Sequence, residues 1–150
     1  MQWINRIKQV DDTLWDTDFP FLQKPFLNAL ENHDCLNGES GWQSHYLHLP
    51  EQNIFLPSFI KQHSYGEYVF DWGWAEAYQN HGLNYYPKLI VAAPFTPVPG
   101  PRLIGKLNNA SQIDGKQISK HFDIKVFNRG NHFKLAGEAR GVDHATQIFQ

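Results

Sequence analysis

Apolar and polar positions change their period several times along this chain, and each change marks an element. Trp3, Asn5 and Ile7 alternate with Gln2, Ile4 and Arg6, which predicts a short strand over Gln2–Gln9. Asp11–Asp18 is acidic and loop-like, with Trp15 as its anchor. Phe26, Leu27 and Leu30 recur at helical spacing within Phe21–His33, and Pro25 fits a first helical turn. Asn37-Gly38-Glu39-Ser40-Gly41 is a turn cluster. Gln43–Leu49 alternates, Glu51-Gln52-Asn53 breaks the pattern, and Ile54–Lys61 is apolar again. Two strands around a short polar loop predict a β-hairpin, with Pro50 and Pro57 pushing its ends toward a sheet edge.

Tyr65–Phe70 is strand-like, and Gly66 marks a bulge or a close backbone approach. Trp74–Asn80 favours helix, with Asp71 as its cap and Gly82 where a glycine commonly ends a helix. Lys88–Ala93 has the composition of a buried strand, and the prolines of Pro94–Pro101 make the next segment extended or turning. Beyond Arg102 the pattern weakens. Leu107–Gln117 is rich in Asn, Ser and Gly, His121–Phe127 alternates as one more strand, and Glu138–Gln150 is polar. The order of elements predicts an α/β or α+β layer structure around a sheet.

At 150 residues, one domain with one proper core is expected. Aromatic residues make up 15% of the chain, so rings must carry much of the packing. A net charge of −2, with the 13 lysines and arginines scattered, gives no strong nucleic-acid signature. A single cysteine, Cys35, excludes an internal disulfide framework. The N-terminal segment lacks the apolar core of a signal peptide, and no stretch approaches a membrane span. A cytoplasmic protein is the expectation.

The candidate chemistry gathers between His63 and Arg102. Eight aromatic residues fall in the 22 positions Tyr65–Tyr86, and four of the nine prolines fall in Pro94–Pro101. His63, Glu67 and Asp71 supply an imidazole with carboxylates, the usual partners in general-base chemistry. On a strand, His63, Tyr65, Glu67 and Asp71 share one face. On spacing alone a solvated strand face, with Asp71 capping a helix, outweighs that catalytic reading. Trp72, Trp74, Tyr78, Tyr85 and Tyr86 offer either core or a slot for a planar or sugar-like ligand. Arg102, at the end of the rigid proline loop, is placed to clamp a carboxylate or phosphate, or simply to end a crossover. His45 and His48 would point to opposite faces of a strand, so no metal is expected. No phosphate-loop pattern occurs, and Cys35 lacks the neighbours that activate a nucleophile.

The strings Lys61–Trp72, Trp74-Ala75, Tyr85–Leu89, Pro94–Pro97 and Gly100–Leu103 closely resemble a bacterial family of N-acyltransferases described as FemAB-like or GNAT-like. Pro25–Leu27, Ala29–Glu31 and Gly41–Gln43 resemble it too, so the likeness runs from about Phe21 to about Ile104. The resemblance implies a GNAT-like twisted mixed sheet flanked by helices. It implies acyl transfer to an amine, with acyl-CoA or aminoacyl-tRNA as donor and an amine-bearing small molecule or cell-wall precursor as acceptor. His63, Tyr65, Glu67, Asp71, Lys88, Thr96 and Arg102 occupy its signature positions. The aromatic candidates Trp72, Trp74 and Tyr86 lie in the same run. Family members are longer. Residues 1–104 are therefore expected to form the N-terminal part of such a domain, and residues 105–150 a divergent tail. An incomplete acyltransferase fold leaves two further expectations open. One is a non-catalytic module that binds a ligand or cell-wall precursor, and the other is a homodimer that restores missing sheet partners.

Overall fold

A computed structural model describes residues 2–51, 53–67, 71–98, 100–101, 103–105, 125–129 and 132–136, the last two runs as backbone strands. Its elements are β1 (Gln2–Ile4), α1 (Lys24–Asn32), β2 (Trp42–Ser44), β3 (Tyr46–Leu49), β4 (Ile54–Leu56), β5 (Ser58–Lys61), α2 (Trp72–Asn80), β6 (Lys88–Val91), β7 (Ile104–Gly105), β8 (Lys125–Arg129) and β9 (His132–Ala136). Short 3-10 turns at Ile7–Gln9 and Pro20–Leu22 precede α1. The class is α+β.

The predicted hairpin is present, and it bends. β2 and β3 are one strand interrupted at His45, and β4 and β5 are its partner interrupted at Pro57. The halves sort into two sheets, ordered β1-β3-β4-β7 and β2-β5-β6-β9-β8. At the bend the His45 N–H donates to the Ser58 carbonyl at 3.1 Å, and the Ala92 N–H donates to the Pro57 carbonyl at 3.1 Å. Pro57 therefore marks the passage between sheets. The expected sheet edge is corrected, because β4 and β5 are interior strands.

Where a mixed sheet was expected, every pairing among the described strands is antiparallel. The reason lies in the connections. The turn at Pro50–Asn53 joins β3 to β4, and α2 links β5 to β6, which run antiparallel as neighbours. No parallel crossover is needed.

Alternation along the strands divides the interior. Tyr46, Phe55, Phe59 and Ile90 face one cluster, completed by Ile7, Trp15, Leu22 and Leu27 from the N-terminal turns and α1. Leu47, Ile54, Leu56, Leu89 and Val91 face the other. Rings carry much of the first cluster, as the composition implied. Trp15 meets Tyr46 at 5.6 Å and Phe55 at 5.4 Å between centroids, and Phe59 meets Tyr46 at 5.6 Å and Trp42 at 5.5 Å. Trp15 also anchors its loop, donating Nε1–H to the Leu22 carbonyl at 2.7 Å.

α1 lays Leu27 and Glu31, one turn apart, against the core. The Glu31 carboxylate accepts the Ile7 N–H at 3.1 Å and the hydroxyls of Ser44 and Tyr46 at 2.9 Å each. This buried carboxylate explains why the expected strand Gln2–Gln9 stops at Ile4: it captures the Ile7 amide and turns the chain.

α2 ends as its sequence foretold. Gly82 has φ +68°, its N–H donates to the Gln79 carbonyl at 2.9 Å, and the Leu83 N–H reaches the Tyr78 carbonyl at 2.9 Å. That pair of bonds is the Schellman motif. Asp71 is the residue before the helix, but its side chain makes no capping bond. The strand expected over Lys88–Ala93 ends at Val91. Of the strand expected over His121–Phe127, residues 121–124 lie outside the described residues, and β8 occupies Lys125–Arg129. β9, which was not foreseen, pairs with β6.

Candidate functional site

Two lysines set the site. Lys61 ends β5 and Lys88 begins β6, and the two are register partners, with Trp42 of β2 opposite Lys61 on the other side. Both side chains lie on the face of Phe59 and Ile90, and both residues are fully buried. Buried ammonium groups need partners that satisfy their charge and their N–H bonds. Those partners come from the segment after β5 and from the start of α2.

Lys88 Nζ lies 2.7 Å from Asp71 Oδ2, 3.0 Å from Glu67 Oε1 and 2.5 Å from Ser64 Oγ. Three donors thus meet three residues. Ser64 donates its own proton to Asp71 Oδ1, so the Tyr86 hydroxyl, 2.7 Å from Ser64 Oγ, donates to it. The Tyr85 hydroxyl donates to Asp71 Oδ2 at 2.5 Å. Burial, and then the hydrogen bond to the Asp71 carboxylate, push the Tyr85 phenol well above its ordinary range. The rings of Tyr85 and Tyr86 also cover the ammonium, with centroids 5.6 and 5.5 Å away. Lys61 Nζ donates to the Tyr65 carbonyl at 2.8 Å and lies 4.6 Å from the centre of the Trp42 ring. Two lysines and two carboxylates leave the group formally neutral.

The strand expected over Tyr65–Phe70 is corrected within the described residues. β5 ends at Lys61, and the chain bends and turns through Gln62–Gly66, where Gly66 takes φ +75°. Residues 68–70 lie outside the described residues. His63, Tyr65, Glu67 and Asp71 therefore do not share a strand face. Glu67 and Asp71 converge on Lys88 instead.

His63 stays apart from that ion network. It is half-buried, its Nδ1 is buried with no hydrogen-bond partner among the described residues, and its ring meets Tyr65 at 5.3 Å between centroids. Gly41 makes room for it: a Cβ there would lie 2.3 Å from His63 Nε2. Tyr65 is 68% exposed, and its ring meets that of Trp72, 42% exposed, edge-on at 5.1 Å. Trp74 is exposed too, but two positions further along α2 it faces about 200° away from Trp72.

The remaining candidates separate. Thr96 accepts the Val98 N–H at 3.2 Å, a local turn bond, and among the described residues no hydrogen bond ties it to the lysine group. Phe95 of the same loop packs on Trp42 at 5.0 Å. Arg102 lies outside the described residues. His45 stacks on Trp3 and bonds Asn5, His48 stacks on Phe55, and burial lowers the basicity of both. Among the described residues no group of three or more His, Cys, Asp or Glu side chains could hold a metal ion, and no helix is long and apolar enough to cross a membrane.

Sequence reasoning missed Lys61, Ser64, Glu31 and Gly41. The signal for Lys61 was present: a lysine ending an otherwise apolar strand, level with another that begins one. Ser64 and Gly41 carried none, because a small residue reveals its partner only in three dimensions.

No curated protein and no solved structure matches the chain. A family model described as peptidoglycan biosynthesis/recognition matches residues 4–130, reaching past Ile104 through β8 and spanning the Lys61–Lys88 group. The chain belongs to the FemAB-like family.

Proposed function

We propose that the chain takes part in moving an acyl or aminoacyl group from acyl-CoA or aminoacyl-tRNA to an amine on a cell-wall precursor. The observation that carries this reading is the family match over residues 4–130, whose description names peptidoglycan biosynthesis. In this reaction the donor's thioester or ester bond breaks and a new C–N bond forms. The amine gives up a proton, and the thiol or tRNA hydroxyl leaves.

His63 is the residue assigned to take that proton. It is half-buried beside the exposed Tyr65 ring, outside the ion network. Glu67 and Asp71 receive a different role. Each is bound to Lys88, so they hold the segment that carries His63 and the start of α2. Removing a general base lowers the rate about 10²–10⁴-fold.

The same engagement of both carboxylates favours a second reading, recognition of a cell-wall precursor without turnover. Labelled donor, offered as acyl-CoA and as charged tRNA with an amine-bearing precursor peptide, separates the two. Label transferred to the peptide supports the transferase. Saturable binding of the peptide with no transfer from either donor supports recognition alone.

A further inference from the structure

The rings of Tyr65 and Trp72 project where core side chains would not. One is 68% exposed and the other 42%, yet they meet edge-on at 5.1 Å, and His63 extends the row at 5.3 Å from Tyr65. Exposed rings gain little from the core, and a contiguous exposed row of them is the kind of patch that marks an interaction site.

The row is also fixed in place. The Tyr65 carbonyl accepts from Lys61 Nζ at 2.8 Å. Ser64, one residue before Tyr65, and Glu67, two after it, bind Lys88. Asp71, the residue before Trp72, binds Lys88 at 2.7 Å. Two buried lysines thus hold the turn that carries Tyr65 and the start of α2 that carries Trp72, which limits the ordering cost of binding.

Charge narrows the ligand. The lysine group beneath is formally neutral, and exposed Glu76 lies one turn beyond Trp72 on the same face of α2. A carboxylate there disfavours a phosphate or a nucleic-acid strand and accepts hydrogen bonds from hydroxyls. An uncharged pyranose ring has an apolar C–H face to stack on the rings and hydroxyls at its rim.

We infer that Tyr65 and Trp72, continued by His63, form a saccharide-stacking subsite for the uncharged N-acetylhexosamine part of a cell-wall glycan. The inference rests on the proposed function for the origin of the sugar, and it is tested apart from it. The N-acetylglucosamine trimer, which carries no amine and no peptide, is titrated into the full chain by calorimetry. Saturable binding is expected. Tyr65→Ala and Trp72→Ala each weaken it at least about tenfold, equivalent to about 1.4 kcal/mol. Tyr65→Phe keeps it because the stacking face remains, and Trp74→Ala keeps it because that ring faces elsewhere.

No saturable binding by the parent chain overturns the subsite, and so does equal loss in Trp74→Ala and Trp72→Ala. Binding of the trimer without acyl transfer overturns the transferase reading and leaves the subsite standing. Transfer to a sugar-free peptide without trimer binding does the reverse.

Discussion

The Lys88 ammonium lies 2.7 Å from Asp71 Oδ2, joining the first residue of β6 to the residue that precedes α2. Asp71 is 3% exposed and Lys88 1%. The pair sits where the sheet face runs out of apolar side chains, and Glu67, Ser64 and Tyr85 complete it. Removing one member of a buried pair costs far more than the pair contributes, because the other charge is stranded. Lys88→Met strands two carboxylates. We expect it to destabilise the chain by about 3–5 kcal/mol in urea denaturation. Asp12→Asn, which breaks an ion pair with Lys24 at a largely exposed side chain, should cost less than about 1 kcal/mol. Equal costs would show that the Lys88 group carries no structural weight.

Gly41 and Gly82 have nearly the same backbone, φ +73° and φ +68°, but different surroundings. A Cβ at Gly82 meets open space, while one at Gly41 meets the His63 ring. Alanine at Gly82 should cost about 1–2 kcal/mol from left-handed strain alone. Alanine at Gly41 should cost more, and should shift the His63 ring resonances in NMR spectra. A His63 spectrum unchanged by Gly41→Ala would mean that the imidazole does not rest on that glycine.

Much of the fold was legible because it followed from period and punctuation. The hairpin came from alternation around Glu51–Asn53, though not its bend, and the end of α2 from Gly82. What was not legible depended on long-range partners. The 3-10 turn at Ile7–Gln9 exists because Glu31, 24 residues later, accepts the Ile7 amide. The segment after Lys61 read as strand because Tyr65 and Glu67 alternate with their neighbours. Burying Lys61 and Lys88 demanded a turn that brings the Tyr65 carbonyl back to Lys61, and Ser64 and Glu67 back to Lys88. Within the site, Glu67, Asp71, Tyr86 and Lys88 were foreseen as site residues, and they meet in one ion network.

Two buried phenols predict the response to alkali. Burial raises the Tyr46 phenol far above its ordinary range, with the Glu31 charge adding to it, and burial followed by the Asp71 hydrogen bond does the same for Tyr85. Below pH about 10 both phenols are protonated in the folded and unfolded chains alike, so their contribution is fully present. Above that pH the unfolded chain loses protons that the folded chain keeps, and stability falls as pH rises. Ultraviolet titration should show Tyr46 and Tyr85 ionising only as the chain unfolds. Tyr85→Phe should flatten the alkaline decline. A decline of unchanged slope in Tyr85→Phe together with Tyr46→Phe would assign it to other groups.

Glu31 tests the other buried carboxylate. Glu31→Gln keeps the shape but replaces one acceptor oxygen with a donor facing Ile7 N–H, Ser44 and Tyr46. We expect a loss of about 1–3 kcal/mol in denaturation midpoint analysis. Amide exchange should accelerate first at Ile7. Unaltered Ile7 protection would show that the 3-10 turn forms without the carboxylate.

The most direct test of the functional account compares acyl transfer to an amine-bearing cell-wall precursor by the parent chain and by His63→Ala, both checked for intact folding by circular dichroism. The account predicts transfer by the parent and a fall in kcat/KM of about 10²–10⁴-fold in the variant. Transfer at the parent rate by His63→Ala would contradict it.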